Sequence, residues 1–232
     1  MIKDYIKRTI LFLLIVFTLL FSTIFIKYNY FEKKYIKNEL SKIDLKKYNN
    51  LMIVAHPDDE TLWGSSELIN KNYVVVCVTC KTNPVRVKEF QNVMNATNDR
   101  YLMLGYPDKI FLTRSDWKFS YKYIKRDLKY IEKANDWQII VTHNKAGEYG
   151  HNHHKMVHKL VWDTADKNKV YVFGKYCSKK SLDSGNCVLD YNLPDYELNE
   201  KIKLLKYYKS QKHVVKEFKH MVSHEKIEKA SK

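Results

Sequence analysis

Glycine and proline are scarce in this chain, with six Gly and four Pro among 232 residues. No stretch is rich in Gly, Ser or Pro and no segment repeats, which excludes a disordered or low-complexity chain. Cysteine is as sparse, and four of them do not make a disulfide framework. Cys77 and Cys80 form a C-x-x-C within an apolar run. Period-two geometry turns such a pair to opposite faces of a strand, so both are expected as buried structural thiols. Cys177 and Cys187 sit in a polar loop and would pair in an oxidising compartment, a point the sequence leaves open.

What is present begins with a long apolar run. From Thr9 to Ile26 there are 18 consecutive residues without a charge. As a helix, at ~1.5 Å per residue, that run is about 27 Å long, close to the hydrocarbon thickness of a bilayer. A cleaved signal peptide expects an apolar region of about 7–15 residues and a small-residue cleavage site. The sequence Lys27–Phe31 offers no such site, so an uncleaved N-terminal membrane anchor is expected. Lys3, Lys7 and Arg8 precede the span, and Lys27, Lys33, Lys34 and Lys37 follow it. That balance slightly favours a cytoplasmic body.

The net charge of +15 raises nucleic-acid binding, but its distribution argues against it. Residues 201–232 hold ten lysines against Glu217, Glu225 and Glu228. Val214, Val215, Phe218, Met221 and Val222 recur among those lysines at helical spacing. A basic amphipathic helix beside an anchored domain would touch anionic lipid headgroups. An ordinary solvated helix with a lysine-rich outer face fits the same pattern. With no reader motif in the chain, a nucleic-acid partner is not expected.

Between anchor and tail, short apolar runs alternate with helical patterns. Strands are expected at Leu51–Ala55, Tyr73–Thr79, Tyr101–Leu104, Gln138–Thr142 and Val170–Phe173. Helices are expected at about Glu60–Asn70, Arg86–Thr97, Phe119–Lys133 and Lys155–Asp166. This alternation predicts an α/β layered domain with a mainly parallel sheet and right-handed crossovers. Ligands in such sheets bind beyond the carboxyl ends of the strands.

Two segments lie at such ends. Ala55-His56-Pro57-Asp58-Asp59-Glu60 follows the first strand, and Thr142-His143 through His153-His154 follows the fourth. Together they gather five of the nine histidines. Imidazole and carboxylate suit zinc, and a catalytic zinc keeps three protein ligands with one position for water. His56, Asp59 and one histidine of the second loop supply such a set. Asp58 beside it could take a proton from the metal-bound water, and a nearby histidine or tyrosine could stabilise an oxyanion. Read singly, Asp-Asp-Glu is also a favourable first helical turn, and a His-rich loop is also a solvated surface.

AHPDDE followed downstream by Gly150-His151-Asn152-His153-His154 resembles the N-acetylglucosaminyl-phosphatidylinositol de-N-acetylase superfamily, the PIG-L/LmbE-like proteins. Arg86-Val87-Lys88-Glu89, Leu104-Gly105-Tyr106-Pro107-Asp108 and Tyr207-Tyr208-Lys209-Ser210-Gln211 resemble further motifs of that family. The resemblance implies a Rossmann-like three-layer fold and zinc-dependent hydrolysis of the N-acetyl group of an N-acetylglucosamine-containing glycolipid or glycan. It implies His56, Asp59 and His154 as Zn2+ ligands, with His153 an adjacent rival for the third place. It implies Asp58 as general base, His151 and Tyr149 as stabilisers of the reacting oxygen, and Arg86 and Asp108 as substrate-binding residues. His143, His158 and the tail histidines have no motif and are read as surface or structural. The expected organisation is an anchor at 1–30, a juxtamembrane segment at 31–48, the deacetylase domain at 49–212 and a basic tail at 213–232. The competing function is a catalytically silent, membrane-tethered glycan- or lipid-binding protein. It predicts damage to the proton-transfer group, and Asp58 is intact.

Overall fold

A computed structural model describes residues 1–110, 112–189 and 191–231. The sheet has five parallel strands, β1 (Asn50–Val54), β2 (Tyr73–Thr79), β3 (Arg100–Tyr106), β6 (Ile139–Thr142) and β7 (Val170–Phe173), and one antiparallel edge strand, β8 (Ile227–Lys229). A small hairpin of β4 (Lys109–Ile110) and β5 (Thr113–Arg114) stands apart from it. Strand order is β3-β2-β1-β6-β7-β8. The chain builds outward from β1 to β3 and then returns to place β6 on the other side of β1. That reversal opens a crevice between β1 and β6, where open α/β sheets bind ligands. The expected α/β class with a mainly parallel sheet is therefore the observed one.

Burial explains the parallel order. Every residue of β2 is buried, as a strand covered on both faces requires. Alternate residues feed two separate cores. Leu51, Ile53, Val74 and Val76 pack with α5 (Tyr121–Glu132) and α6 (Asn152–Thr164) through Ile124, Leu128, Leu160 and Val161. Met52, Val54, Val75 and Cys77 pack on the other face with α3 (Asp59–Asn70), α4 (Pro84–Thr97) and α8 (Asp195–Leu205). Gly64 lets α3 approach closely: a Cβ there would stand 2.7 Å from the Phe173 ring.

The N-terminal apolar segment is a continuous helical stretch from Ile2 to Leu40, with an 18-residue window of mean hydropathy 2.8 and no buried share. It comprises α1 (Ile2–Ile26), a π-helical segment (Lys27–Glu32) and α2 (Lys33–Leu40). The segment after the apolar run is built into the fold. Tyr28, Ile36 and Leu40 join the first core, and Glu32 accepts from the Gly105 N–H at 2.8 Å and pairs with Lys81 at 2.5 Å.

The lysine-rich tail differs from the continuous amphipathic pattern its spacing predicts. Among the described residues after Leu205, only α9 (Lys212–Glu217) is α-helical, and β8 follows. Phe218 and Met221 are buried in the second core, so the apolar spacing serves packing on the domain. Glu225 fastens the tail to α3, accepting from Ser65 Oγ and Ser66 N–H and pairing with buried Lys201 at 2.7 Å. Cys177 and Cys187, flanking α7 (Lys179–Asp183), form a disulfide with Cα atoms 5.8 Å apart. Cys77 is buried, as its strand position requires. Cys80 departs from expectation: it falls just beyond β2 with φ 68 and lines the candidate site.

Candidate active site

The turn after β1 puts three side chains into the crevice. Asp58 takes φ 120, a backbone state few non-glycine residues adopt. Its N–H donates to Glu60 Oε2 at 3.0 Å, and the His56 N–H donates to Asp59 Oδ2 at 2.8 Å. Tyr208 in turn donates to Glu60 Oε1 at 2.5 Å. The strained turn is thus held from both sides.

Asp59 is the hub. His56 Nδ1 lies 3.3 Å from its Oδ2, and His154 Nε2 lies 3.2 Å from its Oδ1. His154 Nε2 is buried and makes no hydrogen bond among the described residues. A buried imidazole nitrogen that stands close to a carboxylate without a hydrogen bond to it is what a metal ligand looks like without its ion. Ligand atoms of His56, His151 and His154 lie within 4.8 Å of one another, as do those of Asp59, His143 and His154. The donor set, nitrogen and carboxylate oxygen, fits Zn2+ or a similar divalent ion.

The loop after β6 orients these imidazoles. Gly147 (φ 71), Glu148 (φ 50) and Gly150 (φ 96) curl it so that Glu148 points inward. His143 Nδ1 and His154 Nδ1 both donate to Glu148 Oε2, at 2.9 and 2.5 Å. The Asn144 N–H donates to Glu148 Oε1 at 2.8 Å, and the Ala55 N–H donates to His143 Nε2 at 3.0 Å. A carboxylate behind a ligating histidine fixes the ring and its tautomer. No motif marks Glu148, and His143, expected as a surface or structural residue, is fully buried in the cluster. Its position directly after a strand was the available signal.

His153 and His154 separate in space. His153 stacks on Trp117 (4.1 Å between ring centroids) and contacts Ser115 O through Nε2 at 2.6 Å. Its Nδ1 faces His56 Nε2 at 3.0 Å, away from Asp59. His56, Asp108 and His153 form a third cluster of donor atoms on that side. Arg114, on the β4–β5 hairpin, reaches both Asp108 and His56 Nε2, the latter at 3.2 Å, and is a residue the sequence did not single out.

Arg86 meets Asp58 at 3.1 Å and donates to Pro57 O. Glu89 supports it and accepts from the Ser210 N–H and hydroxyl, both at 2.7 Å. The R-x-x-E and S-Q motifs are therefore one bracket beneath the turn that carries Asp58. A cavity of about 290 Å³ opens above, with His56, Asp58, Asp108, Arg114, Tyr149 and His151 on its walls and His213 at its rim.

Burial shapes the electrostatics. It pushes the Asp58 carboxyl up to about 8, although Arg86 pulls the other way. Burial also opposes ionisation of Asp59, but His154, His143 and His56 hold it well below the usual carboxylate range. Burial, with the charges of His154 and His56, pushes His151 down to about 2, leaving it a neutral imidazole. For Asp108, burial is outweighed by the hydrogen bond and charge of His56 and by Arg114, and it stays ionised. Two carboxylates a residue apart, one held charged and one able to carry a proton, is a common arrangement for acid–base work.

A buried imidazole–carboxylate cluster at the reversal point of a parallel sheet defines an α/β domain with a candidate hydrolytic metal centre. Residues 51–165 match the PIG-L family, GlcNAc-PI de-N-acetylase, and the chain carries a domain of that family. Members of the family are metal-dependent de-N-acetylases. Uncharacterized protein L374 of Acanthamoeba polyphaga mimivirus is 35% identical over 144 residues, covering 55% of this chain and 62% of that protein. The chain thus spans under two thirds of that relative's length. In fold, the structure is similar to GalB, the 4-carboxy-2-hydroxymuconate hydratase of Pseudomonas putida KT2440. The TM-score is 0.51 at 11% identity, over 75% of this chain and 84% of that one.

Proposed function

We propose that this domain hydrolyses the N-acetyl group of an N-acetylglucosamine-containing glycolipid or glycan and releases acetate, with Zn2+ held by His56, Asp59 and His154. The observation that carries the reading is the buried Nε2 of His154, which makes no hydrogen bond among the described residues and stands 3.2 Å from Asp59 Oδ1. When bound there, zinc supplies Lewis acidity and lowers the pKa of its water to about 7.

This chain's residues do the rest. Asp58, in its ionised form beside Arg86, accepts the proton from the attacking water and passes it toward the departing amine. Arg86 lines the cavity and orients that carboxylate from below. His151 and Tyr149, both on the cavity wall, face the acetyl oxygen and stabilise the charge it gains. Asp108, held ionised, accepts from sugar hydroxyls, and Arg114 steadies it.

The α1 helix serves as a membrane anchor in this reading. The Cys177–Cys187 bond supports an oxidising compartment for the body, against the slight lysine balance that favours the cytoplasm. The test is acetate release from GlcNAc-phosphatidylinositol and from simple GlcNAc glycosides by the full-length protein in detergent, with zinc measured in parallel. Asp58→Asn is expected to keep zinc and lose about 10²–10⁴-fold in rate. Protein without zinc when purified free of chelators, or Asp58→Asn with parental activity, refutes the mechanism.

A further inference from the structure

An apolar groove lies beside the candidate site, on the other side of α9. His213 and Val214 of α9 line the site cavity, while Lys212, Val215 and Lys216 line the groove. Its volume is about 660 Å³, within the range of small-molecule pockets, roughly 300–1,000 Å³. Leu198, Ile202 and Leu205 of α8 and Val215 and Val222 of the tail form its floor, and Ile202 is 40% exposed. Lys206, Lys209, Lys212, Lys216 and Lys219 form its rim, and all five are exposed. Among the described residues no carboxylate lines the groove, and none of the five lysines makes an ion pair. An apolar trough with an uncompensated cationic edge calls for an amphiphile with a negative head.

The apolar helix meets the body at the same end of the sheet. Tyr28 stacks on Tyr106 at the carboxyl end of β3, with ring centroids 4.9 Å apart. Arg126 donates to Tyr28 O at 2.8 Å. Glu32 binds Gly105 and Lys81, the latter just beyond β2. Helix exit, site mouth and α9 therefore all lie at the carboxyl ends of the strands. With α1 embedded in a bilayer, that end of the body is the one turned toward the headgroups.

We propose that the groove between α8 and α9 docks an anionic phospholipid of the membrane that holds α1, with an acyl chain along Ile202 and Val215 and the phosphate on the lysine rim. The proposal rests on α1 as an anchor and is independent of the chemistry at His154. Lipid bound there steadies α9, whose opposite face is a wall of the site cavity.

The experiment is hydrogen exchange on the full-length protein in nanodiscs of phosphatidylcholine alone and of phosphatidylcholine with about one third phosphatidylserine. Each lysine near an anionic surface strengthens association about fivefold. Amides of residues 198–222 are expected to exchange at least about tenfold more slowly in the phosphatidylserine discs. Lys212→Gln/Lys216→Gln/Lys219→Gln, with its folding checked by thermal unfolding, is expected to exchange alike in both. Ile202→Ser tests the floor and is expected to lower protection without changing the charge. Equal exchange of the parent in both discs overturns the proposal, as does undiminished protection in the lysine variant. Protection that appears only when polyglutamate is added to phosphatidylcholine discs also overturns it, and assigns the groove to an acidic protein segment.

Discussion

Glu148→Gln is the substitution that most directly probes how the cluster is held together. Glu148 Oε2 accepts from two imidazole N–H groups, and Oε1 accepts from the Asn144 N–H. A glutamine has one acceptor oxygen and one donor nitrogen. Whichever way the amide turns, its NH2 meets a donor: two imidazoles on one side, or the Asn144 N–H on the other. The substitution therefore removes a buried charge and leaves a donor–donor conflict as well. Burial alone would raise the Glu148 pKa, but His143 and His154 outweigh it and bring it from 4.5 to about 2. At 1.36 kcal/mol per unit, that difference corresponds to about 3 kcal/mol of stability. Breaking a buried ion pair by removing one partner costs about 3–5 kcal/mol, the same order.

The sign with pH follows. Because the folded value lies below the unfolded one, this contribution is complete above pH about 4.5 and is lost as pH falls toward about 2. Chemical unfolding of the full-length protein with chelator present, followed by tryptophan fluorescence, should show that acid-side loss in the parent and little of it in Glu148→Gln. Zinc competition titrations should show affinity reduced about 10–100-fold, the usual cost of removing a carboxylate behind a ligating histidine. A variant within about threefold of the parent in zinc affinity and within about 0.5 kcal/mol in stability would refute the orienting role.

Three further outcomes follow from contacts elsewhere. His154→Ala should abolish stoichiometric zinc whereas His153→Ala should retain it, read by metal analysis, because only His154 reaches Asp59. Lys201→Met breaks a pair whose side chains are 0% and 2% exposed, and should cost about 3–5 kcal/mol in chemical unfolding while leaving zinc content unchanged. Reducing the Cys177–Cys187 bond, or Cys187→Ser, should lower stability by about 2–3 kcal/mol for a ten-residue separation; intact mass before and after alkylation of unreduced protein reports whether the bond forms in cells.

How far the sequence could be read depended on whether a residue's role is local or arises across the fold. Strand positions were legible because burial on both faces leaves continuous apolar runs, and β7 falls at the residues its run marks. The placement of His56, Asp58 and Asp59 was legible for the same reason: they follow such a run, and the reversal of strand order between β1 and β6 puts a strand end where ligands gather. Glu148 was not legible, because its work is to face two imidazoles, one of them six residues along the chain, through a loop with positive φ at Gly147, Glu148 and Gly150. Arg114 reaches His56 only because a four-residue pairing folds back over the crevice. The tail shows the opposite error. Its apolar residues do recur at helical spacing, but periodicity reports which side is buried and not what covers it. Here Phe218 and Met221 are covered by the domain itself, and a salt bridge from Glu225 to Lys201 fixes the tail in place. The lysines between them are then left in a fixed row on the outside, which is how a segment open to reading as a lipid-touching or a solvated helix becomes one wall of a groove.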